Sequence, residues 1–155
     1  MDDLNERIDV QMRTAFMDVL ETHIAENDVG WLVRLYTEIR DKLCSFVREG
    51  PTRARIHASF DVELFEQMLV HQAFDPSDMV LLVGSAFDTV AELQAPARDV
   101  VTSERRAKVE AAMRKPGATL ASVVPVFVVE VHACMDELKQ DMAALRELAK
   151  ARGPK

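Results

Sequence analysis

The sequence is poor in the residues that mark turns, sheets and disulfide scaffolds. Its 155 residues include only five glycines, six prolines and two cysteines, whereas Ala, Leu, Glu and Arg are abundant. Because few positions favour turns or strands and many favour helices, this balance predicts helix over sheet. No stretch reaches the roughly 18 apolar residues that a transmembrane helix needs. We therefore expect a soluble chain that does not span a membrane.

The net charge and the first residues of the chain bear on which partners it binds and in which compartment it lies. The formal net charge of −7 repels a phosphate backbone on average, which argues against nucleic-acid binding. The acidic start at Met1, Asp2 and Asp3 lacks the apolar region of a signal peptide. Cys44 and Cys134 each lie in an apolar helical pattern, which is typical of free core thiols in a reducing compartment. The sequence thus predicts a cytoplasmic protein.

Apolar residues recur at helical spacing along most of the chain. The pattern predicts an all-α fold: one domain over residues 1–155, a bundle of six or seven helices, frayed at residues 151–155. Caps and breakers predict helices over residues 3–26, 29–49, 52–59, 62–72, 76 to just before Pro96, 96–114 and 119–150. Asp61 and Asp75 should cap the fourth and fifth of these. Glycine inside a helix costs about 1 kcal/mol, so Gly84 suggests close packing against a neighbouring backbone.

Residues 123–131 allow two interpretations. Their six valines would fit a buried strand. A lone strand would leave backbone groups unpaired, however, and the helical spacing continues without interruption to Leu138 and Leu145. We therefore predict a helix, with Ser122 as its cap and Pro125 in its first turn.

The last third of the chain carries its longest apolar seam. From Val124 onward the gaps alternate between four and three residues, as in a helix that buries one side against other helices. A helix over residues 119–150 would be about 48 Å long, whereas a compact domain of this size is about 40 Å across. We therefore expect the helix end to project and to bind a protein partner or a second copy. The predicted partner seam consists of Leu138, Met142, Leu145 and Ala149.

No motif has the spacing of a catalytic, metal or cofactor site. The four histidines lack a second ligand at metal spacing, and there is no glycine-rich phosphate loop or nucleophile elbow. We therefore predict no enzyme activity, no cofactor and no metal. Two charged groups are interpreted as solvated helix faces: Arg98, Arg105, Arg106, Lys108, Arg114 and Lys115, and then Asp136, Glu137, Lys139 and Asp141. Alternatively, the basic cluster over residues 105–115 would bind a membrane surface.

One short motif is more specific: Leu93-Gln94-Ala95-Pro96-Ala97-Arg98-Asp99. Pro96 should start a helix, and Arg98 beside Asp99 places opposite charges at a sharp helix junction. Arginine hydrogen bonds to helix-end carbonyls commonly hold such junctions. We interpret the motif first as structural.

Several segments, taken together, resemble the amino-terminal part of the T-complex protein eleven domain. They are the stretch from Phe60 to Gln67, the stretch from Gln72 to Asp75, the motif above, and the stretch from Val131 to Ala143. The resemblance covers residues 16–144 approximately. Two residues depart from the family pattern, because Gln94 replaces a cysteine and Ala144 replaces an asparagine.

The resemblance implies a role in signal transduction, particularly in cyclic-AMP and protein kinase A pathways, without an established catalytic activity. The residues at matching motif positions are Pro96, Arg98, Asp99 and Asp141. We expect a non-enzymatic helical module that binds proteins and regulates signalling. The alternative is a small enzyme whose acid/base site forms only in three dimensions, near Glu63, His71 and Arg98.

Overall fold

The regular structure of the described chain is entirely helical. The computed structural model describes residues 28–153 together with Asp18, Thr22, Ile24 and Glu26. No β-strand occurs among these residues, which confirms the all-α prediction. The described helices are α1 (Val29–Ser45), α2 (Pro51–Ser59), α3 (Val62–Val70), α4 (Pro76–Leu93), a 3₁₀ turn (Pro96–Arg98), α5 (Asp99–Arg114) and α6 (Leu120–Ala151). The helix predicted over residues 3–26 lies largely outside the described residues.

Local side-chain caps begin several of these helices. Asp61 accepts a hydrogen bond from the Leu64 amide at 3.0 Å, and Asp75 and Asp78 cap each other's amides at the start of α4. Both caps confirm the sequence prediction. The predicted cap of the last helix, Ser122, is wrong. Thr119 is the cap, and Ser122 is the third helical residue, whose hydroxyl accepts the Thr119 N–H at 2.8 Å.

Two helices end earlier than predicted because tight turns close them. α1 stops at Ser45 rather than at residue 49, and the Phe46 amide then bonds back to the Leu43 carbonyl. α3 stops at Val70, and Gln72 adopts a left-handed φ of 54°. The amide of Ala73 reaches the Met68 carbonyl at 2.7 Å, as in a Schellman motif, where glycine is the usual left-handed residue.

Aromatic rings dominate the core where α1 meets α2, α3 and the start of α4. Tyr36 stacks on Phe65 with ring centroids 4.2 Å apart, and it also contacts the fully buried Phe60. Phe74 meets Phe65 edge-on at 5.4 Å. Burial raises the pKa of Tyr36 to about 12, with Asp61 adding to the shift. This aromatic group fixes how α3 packs on the bundle.

α6 is a single helix of 32 residues, about 48 Å long. It includes residues 123–131, so the helix interpretation of the valine-rich stretch is confirmed. Pro125 is the sixth helical residue, not part of the first turn as predicted. Its ring lies in the core, and the Ala121 carbonyl consequently loses the bond that an N–H at position 125 would donate.

α5 packs on the bundle with little apolar surface. Of its 16 residues only Thr102 and Val109 are buried. Its neighbour Gly84 on α4 does not approach a backbone, so that prediction is wrong. A Cβ added at Gly84 would meet the Arg106 side chain at 3.7 Å, which is ordinary contact. None of the helices in the described residues is long and apolar enough to cross a bilayer.

Candidate functional site

Arg98 in the 3₁₀ turn is the centre of an ion-pair network with α6. Its guanidinium donates to both carboxylate oxygens of Asp141, at 3.1 Å and 2.8 Å. A third hydrogen bond goes to Glu137 at 2.5 Å. The hydrogen bonds from Arg98 hold the pKa of the Asp141 carboxyl below its usual range. Bidentate pairing of this kind fixes the orientation of the two groups as well as their distance.

α5 extends this network along α6. Arg105 donates to the other oxygen of Glu137 and lies 3.9 Å from Glu130. Lys108 approaches Glu130 at 3.7 Å. Both glutamates are mostly buried, with 18% and 14% of their side chains exposed. Ion pairs that are partly shielded from water therefore make up much of the contact between α5 and α6.

A hydrogen-bond chain through the Gln94 side chain completes the motif. The Gln94 side chain donates to Asp99 at 2.8 Å, and its oxygen accepts from the Thr102 hydroxyl at 2.6 Å. Gln94 thus connects the end of α4 with the first turn of α5. The roles of Gln94 and Thr102 were not predicted from the sequence, and only their spacing around the helix junction could have suggested them.

The structure brings together two of the four motif residues that the sequence selected. Arg98 and Asp141, 43 positions apart, pair directly. Pro96 begins the 3₁₀ turn, and Asp99 pairs with Gln94 rather than with Arg98. The prediction that Arg98 binds helix-end carbonyls is wrong, since its hydrogen bonds go to carboxylates on α6.

The two predicted solvated faces meet in part. Among the basic residues, Arg98, Arg105, Arg106 and Lys108 all pair with carboxylates. Glu137 pairs with Arg98 and Arg105, and Asp141 pairs with Arg98. Asp136 and Lys139 are exposed as predicted. Arg114 and Lys115 are exposed as predicted, so the ion pairs engage only part of the basic cluster over residues 105–115.

The three residues of the enzyme alternative are not brought together. Glu63 lies in the first turn of α3 and His71 follows its last turn, about 12 Å apart along the axis. Both are exposed, whereas Arg98 is engaged with α6. Within the described part of the chain, no group of three His, Cys, Asp or Glu could hold a metal ion.

The predicted partner seam divides into a buried and an exposed part. Leu138 is only 4% exposed inside the bundle, so its assignment as a partner contact is wrong. Met142 is half-buried, and every residue from position 143 to position 151 is exposed. We call residues 143–151 the α6 tip. Leu145 there is 61% exposed, and Leu148, which the sequence analysis did not include, is 59% exposed.

A second apolar surface, not predicted from the sequence, lies between α3 and α4. This α3–α4 groove has a volume of about 220 Å³, and its apolar walls include Leu64, Phe65, Met68 and Leu81. Leu64 is 52% exposed and Leu81 69%. The groove is smaller than sites for drug-sized molecules, which measure about 300–1,000 Å³. It suits protein side chains better than a small substrate.

The comparisons with known proteins give one result. A family model described as T-complex protein 11 matches residues 1–146. No curated protein and no solved structure matches the chain. The family match covers almost the whole sequence, including the motif around Arg98 and its partner Asp141. The chain therefore belongs to the T-complex protein 11 family.

Proposed function

We propose that this protein is a non-enzymatic, cytoplasmic interaction module that regulates signalling by binding a protein partner through the α6 tip. The observation that carries the proposal is the exposure of Leu145 and Leu148 on a helix that continues beyond the apolar core. Large aliphatic side chains on a helix surface lose unfavourable contact with water when another protein covers them.

The tip continues the same seam that packs the bundle. Met135 and Leu138 are buried, Met142 is half-buried, and Leu145 follows at the same alternating spacing but is exposed. Such a stripe fits the binding mode in which an amphipathic helix lays its apolar face into a groove. The tip is helical as far as Ala151, so this apolar face is already formed.

The ion-pair network supports this role by holding the base of the tip. Asp141 is the last α6 residue bound by Arg98, and the tip begins two residues later. Bonds to two carboxylates one turn apart fix the helix against rotation at this point. A binding helix that is ordered before it meets its partner loses less conformational entropy on binding. In this view Arg98 positions the tip and does not contact the partner.

The place of this module in signalling comes from the family resemblance. That resemblance implies cyclic-AMP and protein kinase A pathways, so subunits of that kinase are the first partners to test. The absence of a shared cleft for Glu63, His71 and Arg98 favours binding over catalysis for these residues.

Affinity capture from the native host, followed by mass spectrometry, tests the proposal. We compare the wild-type chain with Leu145→Glu/Leu148→Glu, and with Val100→Glu as a matched control, because Val100 is 69% exposed on α5. Specific partners should be captured by the wild type and the control but lost with the tip variant. Partners that remain bound equally well to all three chains would refute a role for the tip.

A further inference from the structure

The α6 tip and the α3–α4 groove carry opposite charge. Residues 61–97, which contain α3 and α4, include seven acidic residues and no lysine or arginine, and two of the seven, Asp88 and Glu92, pair with Arg106 and Arg55. Asp61 and Asp78 line the groove beside its leucines. The tip and the residue that follows it contain three basic residues, Arg146, Lys150 and Arg152, against the single acid Glu147. The single acid, Glu147, lies 3.6 Å from Lys150, so the excess of basic charge lies mainly at Arg146 and Arg152.

We propose that the α6 tip of one copy docks into the α3–α4 groove of a second copy, with Leu145 and Leu148 covering Leu64 and Leu81. This inference rests on the proposed function, because it names a partner for the same tip. Each surface alone is an exposed apolar patch, and each supplies what the other lacks: a projecting leucine pair with basic neighbours, and a leucine-walled groove with acidic neighbours. Opposite charge at the rim favours this pairing over tip against tip or groove against groove.

The positions of the two surfaces allow the contact to be reciprocal. Phe65 of the groove wall also lines a cavity together with Leu120 and Val124, which lie in the first turns of α6. Leu145 lies 21 residues beyond Val124, about 32 Å along the same helix. Two copies with antiparallel α6 helices therefore bring each tip toward the other copy's groove. Such a two-fold arrangement closes as a dimer, whereas a one-sided contact would leave a free tip and a free groove for further copies.

Site-directed disulfide trapping tests the docking directly. The native thiols Cys44 and Cys134 are both buried and free, so an introduced surface cysteine should react selectively under mild oxidation. We mix a Leu145→Cys chain with a larger, fusion-tagged Leu81→Cys chain and separate the products by size. We expect the mixed dimer to exceed either homodimer several-fold. Val100→Cys replaces Leu81→Cys in the control mixture, because its exposure is the same, 69%.

Three results would overturn the inference. A Leu145→Cys homodimer as the main product would show that tips pair with tips. Equal trapping of the Val100→Cys control would show random collision. A mixed dimer that is equally abundant in 0.5 M salt would contradict the charge complementarity, because such salt screens charges beyond about 4 Å.

Light scattering after size exclusion supplies an independent measurement on the unmodified chain. At tens of micromolar the wild type should approach twice its 17.4 kDa mass. Leu145→Glu/Leu148→Glu and Leu64→Glu/Leu81→Glu should each return the mass to one chain, with thermal unfolding confirming that each variant folds. A wild type that stays monomeric overturns self-docking. A monomer is the result expected if a segment of the same chain fills the groove. Tip-dependent capture of host proteins by that monomer would still leave the proposed function standing.

Discussion

The two sides of α6 hold their neighbouring helices by different forces. On one side α4 contributes six buried residues, among them Phe87, whose ring meets Phe127 of α6. On the other side α5 contributes two buried residues and is held mainly by pairs such as Arg105–Glu137. Apolar burial is non-directional. A hydrogen-bonded charge pair depends on its geometry and is weakened by salt screening, so the α5 side defines geometry more than it supplies stability.

This difference bears on the proposed function because the α6 tip begins next to the charged contacts. α6 leaves the apolar core after Leu138, and its next contacts with the rest of the chain are Arg98 to Asp141 and Met142 half-buried nearby. The direction of the tip is therefore set by hydrogen-bonded charges. A change in those charges should alter binding at the tip while the aromatic core stays intact.

The largest effect is expected in the aromatic group of the core around Tyr36. Phe60→Ala removes a fully buried ring that contacts Tyr36, and we expect it to lower the free energy of unfolding by about 3–5 kcal/mol. Urea unfolding followed by circular dichroism measures the change. Val100→Ala, at an exposed position on α5, should stay within about 0.5 kcal/mol of the wild type. A loss of less than about 1 kcal/mol for Phe60→Ala would mean that the aromatic group does not dominate the core.

A smaller loss is expected on the charged side. Glu137→Ala leaves Arg98 and Arg105 without a shared carboxylate, and we expect about 2 kcal/mol of destabilisation. Asp88→Ala is the matched control, because it removes an exposed pair with Arg106 and should cost less than about 1 kcal/mol. Equal losses for the two variants, measured by urea unfolding, would show that partial burial adds nothing to the Glu137 pairs.

Local signals explain which parts of the fold were predictable. The start of α4 is encoded within four residues, since Asp75 and Asp78 cap each other around Pro76. The continuity of α6 follows from a periodic seam longer than any competing strand pattern. The ends of α1 and α3 were misplaced by two to four residues. The turn after α3 uses Gln72 in the left-handed conformation that glycine usually adopts, and α1 ends at Phe46, which keeps an ordinary negative φ, so neither end carries a glycine signal.

The site was predictable only in part, because its partners are distant in sequence. A polar helix face reads as solvated unless another helix is known to cover it, and nothing near Glu137 indicates that α5 does so. Arg98 was selected through the motif, yet its bonds to Asp141 span 43 positions. The α3–α4 groove depends on how two helices pack against each other. Neither helix sequence specifies that arrangement alone.

A modest gain in stability is expected at Gly84, where α4 faces Arg106 of α5. Gly84→Ala should raise the free energy of unfolding by up to about 1 kcal/mol, since alanine favours the helix interior over glycine. The added methyl group would contact Arg106 at an ordinary 3.7 Å. Thermal and urea unfolding measure the gain, and Ala91→Gly, at an exposed position of the same helix, should produce the opposite change. A destabilised Gly84→Ala would indicate that Arg106 cannot keep its bond to Asp88 beside a methyl group.

The smallest expected effect is a pH dependence of stability that comes from the ion pair between Arg98 and Asp141. The hydrogen bonds from Arg98 lower the pKa of Asp141 in the folded chain relative to its ordinary value. A depressed folded pKa stabilises the protein fully above the unfolded value of about 3.9, and this contribution disappears as the pH falls through the folded pKa. Urea midpoints of the wild type and Asp141→Asn should therefore differ between pH 5 and 8 and converge below about pH 4. If the gap stays constant down to pH 2.5, the ionised form of Asp141 contributes nothing, and shape alone would hold α6 against the 3₁₀ turn.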